Sequence, residues 1–320
     1  MSDMEARKRL QLGGQAVIEG VMMRSPTHIA TAVRTPKGRI VIKREPFSSL
    51  IKRHRILNVP IIRGAIAFVE TFVVAVKALS YSASQAAVEE EDAGAGAGAA
   101  GPGAEPAKKP DSGVSGWQMA VTMTAAFLLG FIIFFYIPLV LTGLFHISRG
   151  VLFNLVDGLF RLVFLILYIW LITRWKEMRR IFEYHGAEHK AIFAYEEEGE
   201  ATVENAKRYA TLHPRCSTSF LLLVVFVSVV VFIFLGRPVT VADRLIRFAF
   251  IPVIGGIAYE LLKLSGRRGA RRVIAPLVWP GLFLQKLTTR EPFPDQIEVA
   301  IAALNAVVGD KTLETEPPVL

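Results

Sequence analysis

A single cysteine, Cys216, excludes an intramolecular disulfide and suits a reducing compartment. Charge is sparse as well. Only 20% of residues are Asp, Glu, Lys or Arg, against 52% hydrophobic, a balance too apolar for an ordinary soluble domain. The first 60 residues lack the apolar run of a secretory signal peptide, so the first long apolar segment is expected to act as the targeting signal. A phosphate-binding loop is missing too. Gly13-Gly14 and Gly20 have neither its spacing nor its following helix, and suit tight backbone geometry instead.

What the chain does have is long apolar runs. Four are long enough to cross a bilayer core, which takes about 20 residues: Met119 to Phe145, Val151 to Thr173, Phe220 to Leu235 and Val241 to Leu264. The net charge of +9 raises nucleic acid as a partner, but its distribution speaks against one. Basic residues crowd the N-terminal region (Lys43, Arg44, Lys52, Arg53, Arg55) and the central loop (Arg174, Lys176, Arg179, Arg180). They recur after the last run (Arg267, Arg268, Arg271, Arg272), whereas the other two connections offer only Arg149 and Arg237. This asymmetry predicts a multi-pass protein of the cytoplasmic membrane with both termini and the central loop inside. Its expected partners are the lipid bilayer and a lipid or membrane-peptide substrate, with no nucleic acid.

Residues 1–58 read as a β-rich cytoplasmic segment. Gln15 to Met23 and His28 to Arg34 are candidate strands, and Thr35-Pro36-Lys37-Gly38 is a turn signal before Arg39 to Arg44. Residues 59–84 have a helical pattern in which Arg63, Glu70 and Lys77 favour an interfacial or protein-packed helix over a fifth span. An Ala/Gly/Pro-rich linker covers 85–116. Hairpin 117–173, loop 174–218 and hairpin 219–265 precede a cytoplasmic C-terminal segment, 266–320. In that segment Pro276 to Leu287 reads as a membrane-surface or re-entrant piece broken by Pro280-Gly281. Asp295 to Val308 reads as an amphipathic helix, and Thr312 to Leu320 as a frayed end. The expected fold is a polytopic α-helical membrane protein with four spans and a small cytoplasmic α+β cap that includes the N-terminal β element.

The chemistry concentrates in Tyr184-His185-Gly186-Ala187-Glu188-His189-Lys190, within a helix expected from Glu177 to Glu197. His185, Glu188 and His189 fall on one helical face, where two imidazoles can take two positions on zinc. A neighbouring carboxylate can then act as general base. His-x-x-Glu-His is the inverted zinc-protease signature; surface histidines beside a salt-bridging glutamate are its bland counterpart. Gly186 weakens the helix by roughly 1 kcal/mol relative to alanine and is expected to leave room beside the metal face. His213-Pro214-Arg215-Cys216 can supply a further imidazole or thiolate, although a buried cysteine is often only a packing residue. Glu260 is a third-ligand candidate or else an ion pair with Lys263 or Arg267. Asp157 and Arg161 can neutralise each other one turn apart, while Arg244 and Arg247 can snorkel. Gln285 to Pro292 is dense in hydrogen-bonding groups that can hold a lipid head group or an anionic substrate, or form a solvated loop.

These residues resemble a known family, the YqhQ-like bacterial membrane proteins, read as metal-dependent enzymes. The resemblance rests on Gly13 to Arg24, Tyr184 to Lys190, His213 to Cys216 with Thr218-Ser219, Tyr259-Glu260, and Leu287 to Pro292. It covers nearly the whole chain apart from the linker. Family members often carry glycine where this chain has Ser217, which touches no candidate ligand. What the resemblance implies is candidate positions rather than a substrate. The expected function is a divalent-metal enzyme, zinc-dependent and hydrolytic, at the cytoplasmic membrane face. His185 and His189 are its ligands, with Glu260, Cys216 or His213 as the third. Glu188 is the base, and Arg215 or Arg290 stabilises an anionic intermediate. The rival expectation is a non-enzymatic scaffold or transporter in which the same cluster is structural.

Overall fold

In a computed structural model, which describes residues 12–94, 116–213, 216–265 and 271–309, the chain is mostly helical with one small sheet. Most of the linker, and the end at Thr312 to Leu320, lie outside the described residues. Strands β1 (Gly13–Val17), β2 (Gly20–Arg24), β3 (His28–Arg34) and β4 (Ile40–Pro46) form an antiparallel meander in that order. The single strand expected from Gln15 to Met23 is corrected to a hairpin, because Ile18-Glu19 turn the chain and Val17 pairs with Gly20. Glu19 adopts a φ of 50° there, uncommon for a residue with a Cβ. Its carboxylate accepts from Arg180 and from the Tyr184 hydroxyl, so a distant helix fixes the turn.

The helices follow in chain order. The first, α1 (Ile62–Gly94), continues well beyond residue 84. Next, α2 (Gly116–Phe131) passes through a π-turn at Ile132–Tyr136 into α3 (Ile137–Leu144), where Pro138 has no N–H to continue the regular ladder. Then come α4 (Gly150–Ile172), α5 (Lys176–Glu198), α6 (Val203–Ala206) and α7 (Ser217–Leu235). The fourth apolar run breaks into α8 (Val241–Ala249) and α9 (Ile251–Ser265), just before Pro252. The last two are α10 (Arg271–Thr288) and α11 (Pro294–Val308). Four helical segments, Val121–Leu144, Gly150–Ile172, Thr218–Leu235 and Val241–Leu264, are long and apolar enough to cross a membrane.

The expected break at Pro280-Gly281 does not occur, and α10 runs through it unbroken. A Cβ at Gly281 would lie 2.7 Å from Ser219 Oγ, so the glycine lets α10 pack directly onto α7. That packing offsets the hydrogen bond lost at Pro280. The β-sheet lies between two helical layers. Val21, Met23, Ala30 and Ala32 face a core shared with α5 and with Ile297, Ala300, Ile301 and Leu304 of α11. Val17 and Met22 point the other way, against Ala78 of α1, as strand alternation requires.

Among the apolar helices a polar network is buried. Asn154 Nδ2 donates to the carbonyls of Phe232 (2.8 Å) and Gly236 (3.1 Å), and Arg161 Nε donates to Asp157 Oδ2 at 2.9 Å. Arg247 does not snorkel. It is 4% exposed and donates to Asn154 Oδ1 at 2.8 Å. One helical turn beyond Arg161, Leu165 begins a buried apolar cluster with Ile169 and Leu284, against which Val225 packs.

Candidate metal centre

Helix α5 carries the His-x-x-Glu-His face with no interruption, and Phe182 to Lys190 are buried apart from the partly exposed His185. Its αL stop is Gly199, at φ 83°. Three ties hold it. Arg180 and Tyr184 reach Glu19, Gln296 Nε2 donates to Glu183 Oε2 at 3.0 Å, and the buried Lys190 pairs with Glu291 at 2.7 Å.

The ligand atoms of His185, His189 and Cys216 all lie within 4.8 Å of one another. His185 Nδ1 is 2.8 Å from the carbonyl oxygen of Thr288, the last residue of α10, and His189 Nδ1 contacts that of Thr211. A carbonyl only accepts, so each ring carries its proton on Nδ1 and presents a bare Nε2. His185 Nε2 sits 3.1 Å from Cys216 Sγ, and the buried His189 interacts with the same sulfur. Two tautomers fixed by backbone carbonyls, with both free nitrogens turned toward one sulfur, are what a metal-ligating histidine pair requires. Burial pushes the Cys216 thiol up, but His189 and Thr218 outweigh it and hold the thiol below its ordinary value. Burial holds His189 below its ordinary value, which favours the neutral, ligating form.

Glu188 stands beside this trio, fully enclosed. Burial pushes its carboxyl up to about 8, opposed in part by His185 and by the Gly14 backbone N–H that donates to it. Its Oε2 has no partner. Gly14 is required here, because a Cβ would fall 2.9 Å from Glu188 Cγ and Cδ and 2.8 Å from the Met22 carbonyl. Gly186 leaves room for backbone rather than for a ligand. A Cβ there would meet the Arg290 carbonyl oxygen at 2.0 Å, and the Arg290 N–H in turn donates to Phe182 O at 2.9 Å.

Not every expected residue joins the trio. Glu260 lies in α9 and is engaged by α1, with Arg63 Nε donating to it at 2.6 Å, while Arg267 falls outside the described residues. His213 is buried beside Phe193, with ring centroids 4.5 Å apart, and its Nε2 lies 4.0 Å from Glu196. The Arg290 side chain is exposed, and Arg215 falls outside the described residues. Of the run from Gln285 to Pro292, the part to Thr288 is helix rather than a solvated loop. Gln285, fully buried, accepts from His213 N–H and donates to His213 O, both at 2.9 Å. It also donates to Ser219 Oγ at 3.2 Å, bracketing Cys216.

Comparison with known proteins places the sequence in a family. The sequence pattern of a family of proteins of unknown function, DUF1385, matches residues 59–310. This chain belongs to that family. It is also 32% identical over 307 residues to the uncharacterised protein YqhQ of Bacillus subtilis strain 168, covering 95% of this chain and 94% of that one. No solved structure matches. The DUF1385 match contains every ligand candidate but begins after the sheet, whereas the similarity to the Bacillus protein takes in nearly the whole chain.

Proposed function

We propose that this DUF1385 protein is a zinc-dependent hydrolase of the cytoplasmic membrane, with both termini and the cap on the cytoplasmic side. His185, His189 and Cys216 are its ligands. One observation carries the reading: the buried His189 and a second fixed imidazole converge on a thiol held below its ordinary pKa. Two nitrogens and one sulfur suit zinc, and three protein ligands leave one coordination position for chemistry. Bound there, zinc supplies Lewis-acid polarisation of the bond to be cleaved.

The chain's own part is to hold and move a proton. Glu188 takes it from the attacking water and returns it to the leaving group. Gly14 holds that carboxylate by its N–H and packs closely on it, leaving it buried from bulk water. Arg290, exposed beside Gly186, is available to an anionic substrate. A transport reading needs a polar path through the bundle. The apolar layer of Leu165, Ile169, Leu284 and Val225 below Arg161 supports the enzyme over it.

Metal content of the purified protein tests this proposal. The wild type should hold one zinc per chain, and His185→Ala, His189→Ala or Cys216→Ser should lose it. Cobalt-loaded wild type should show a thiolate charge-transfer band that Cys216→Ser lacks. Metal-free wild type, folded and able to cleave esters or peptides presented in mixed micelles, would sink it. Reporter fusions at Gly94 and Thr312 should both report the cytoplasm.

A further inference from the structure

On the face of the sheet opposite α11, a groove of about 800 Å³ opens between β3, β4 and α1. Its walls are apolar over most of their length, with Ile29 and Phe47 on the sheet side and Ile66, Val69 and Val73 on the helix side. Val69 and Val73 are 58% and 45% exposed, so no part of the described chain covers this stripe. One end is different. Lys77 and Tyr81 stand a helical turn apart, and Lys43 Nζ lies 5.5 Å from the centre of the Tyr81 ring.

The carboxylates nearby are already engaged. Glu45 pairs with Lys43 at 3.0 Å, and Glu70 accepts from Ser49 Oγ at 2.8 Å and from Leu50 N–H at 2.6 Å. Lys77 has no ionic partner among the described residues and leaves the Tyr81 end with a net positive charge. The groove is thus apolar along its length and cationic at one end.

Its apolar end leads to the membrane-length helices. The start of α1 packs on α9, where a Cβ at Gly64 would be 2.7 Å from Gly256 Cα. Phe68 meets Phe220 and Phe72 meets Phe127, with ring centroids 5.6 and 5.3 Å apart. Gly256, Phe220 and Phe127 all belong to the four membrane-length segments. The lipid-facing surface of those segments therefore continues along α1 into the groove. We propose that the groove binds one anionic membrane lipid, an acyl chain lying between Phe47 and Val69–Val73 and its phosphate against Lys77 and Tyr81. An apolar slot that leads out of the bilayer and ends in an uncompensated cation matches that amphiphile in both shape and charge. Lipid binding here is independent of any metal at His185, His189 and Cys216, since the sheet separates the two sites.

The test uses full-length protein reconstituted in nanodiscs of equal phosphatidylglycerol and phosphatidylcholine, then released for native mass spectrometry. A phosphatidylglycerol analogue with a photoactivatable acyl chain is cross-linked in parallel. Wild type should retain one phosphatidylglycerol, cross-linked to peptides containing Phe47 or Val69 and Val73. Val69→Trp with Val73→Trp fills the slot from two exposed positions and should abolish both signals at unchanged melting temperature and metal content. Lys77→Gln should keep the cross-link position but lower preference for the anionic lipid about fivefold. Equal retention of the two lipids by wild type, unchanged retention in the tryptophan variant, or cross-links elsewhere would each overturn the proposal. So would a peptide or a second copy of the chain found in the groove in place of lipid.

Discussion

Glu188 is a carboxyl shut in by α5 and the backbone of Gly14, and burial moves it from the ordinary 4.5 to about 8. Between those two values the folded, metal-free protein keeps the proton that the unfolded chain releases. The native state then binds more protons than the unfolded one, so stability falls as pH rises through this window and levels off above about 8. Glu188→Gln removes the titration. Thermal unfolding of the metal-free protein in detergent should show a less favourable change in stability from pH 5 to 8 in wild type than in the variant, since His189, held below its ordinary value, contributes the opposite slope to both; equal slopes would discount the burial. At this scale the sequence was informative where side chains carry the chemistry. The spacing of His185 and His189 marked a pair that does come together, and Cys216, one of three residues left open beside them, is the one that joins it. It was silent on the carbonyls of Thr211 and Thr288, since a backbone oxygen has no residue signature. It did not show the contact between Glu260 and Arg63, because an intramembrane carboxylate advertises a partner but not which one, and Arg63 lies 197 residues away.

Single elements show the same division. The apolar runs, α5 and α11 were legible because hydrophobic length and helical period are local properties. The Ile18-Glu19 turn was not, since its anchors Arg180 and Tyr184 lie in another element. Nor was the passage of α10 through Pro280, which depends on Ser219 pressing against Gly281. In α4, Asp157 and Arg161 are 1% and 5% exposed, and a buried pair of this kind depends on both members. Removing Asp157 leaves a charged guanidinium in an apolar bundle, typically about 3–5 kcal/mol destabilising, whereas replacing both with apolar residues is often near neutral. Asp157→Asn should therefore lower the unfolding temperature and the yield of folded protein. The double substitution of Asp157 and Arg161 by leucine should recover much of both. A double variant worse than the single one would mean the pair does something other than neutralise charge.

At the scale of the whole molecule, the candidate centre is a junction. Gly14 brings the sheet, His185 and His189 bring α5, Cys216 brings the start of α7, and Thr288 brings the end of α10. The sheet and α11 otherwise meet the apolar helices mainly through α1 and the chain connections, so a divalent ion at this junction would tie the cap to the bundle. A ligand that binds only the folded state stabilises it by about 2.7 kcal/mol at a hundredfold excess over its dissociation constant. Chelation should accordingly lower the unfolding temperature of the purified protein by several degrees, and zinc should restore it. Being the single thiol of the chain, Cys216 gives the same event a second readout. Buried and engaged with metal it should resist maleimide, and after chelation it should become reactive as the junction loosens. Hydrogen exchange should rise in α5 and β1 but remain low in α4, whose contacts do not pass through the centre. If chelation leaves unfolding temperature, Cys216 reactivity and α5 exchange all unchanged, the junction is held by its hydrogen bonds alone, and the imidazole pair is structural.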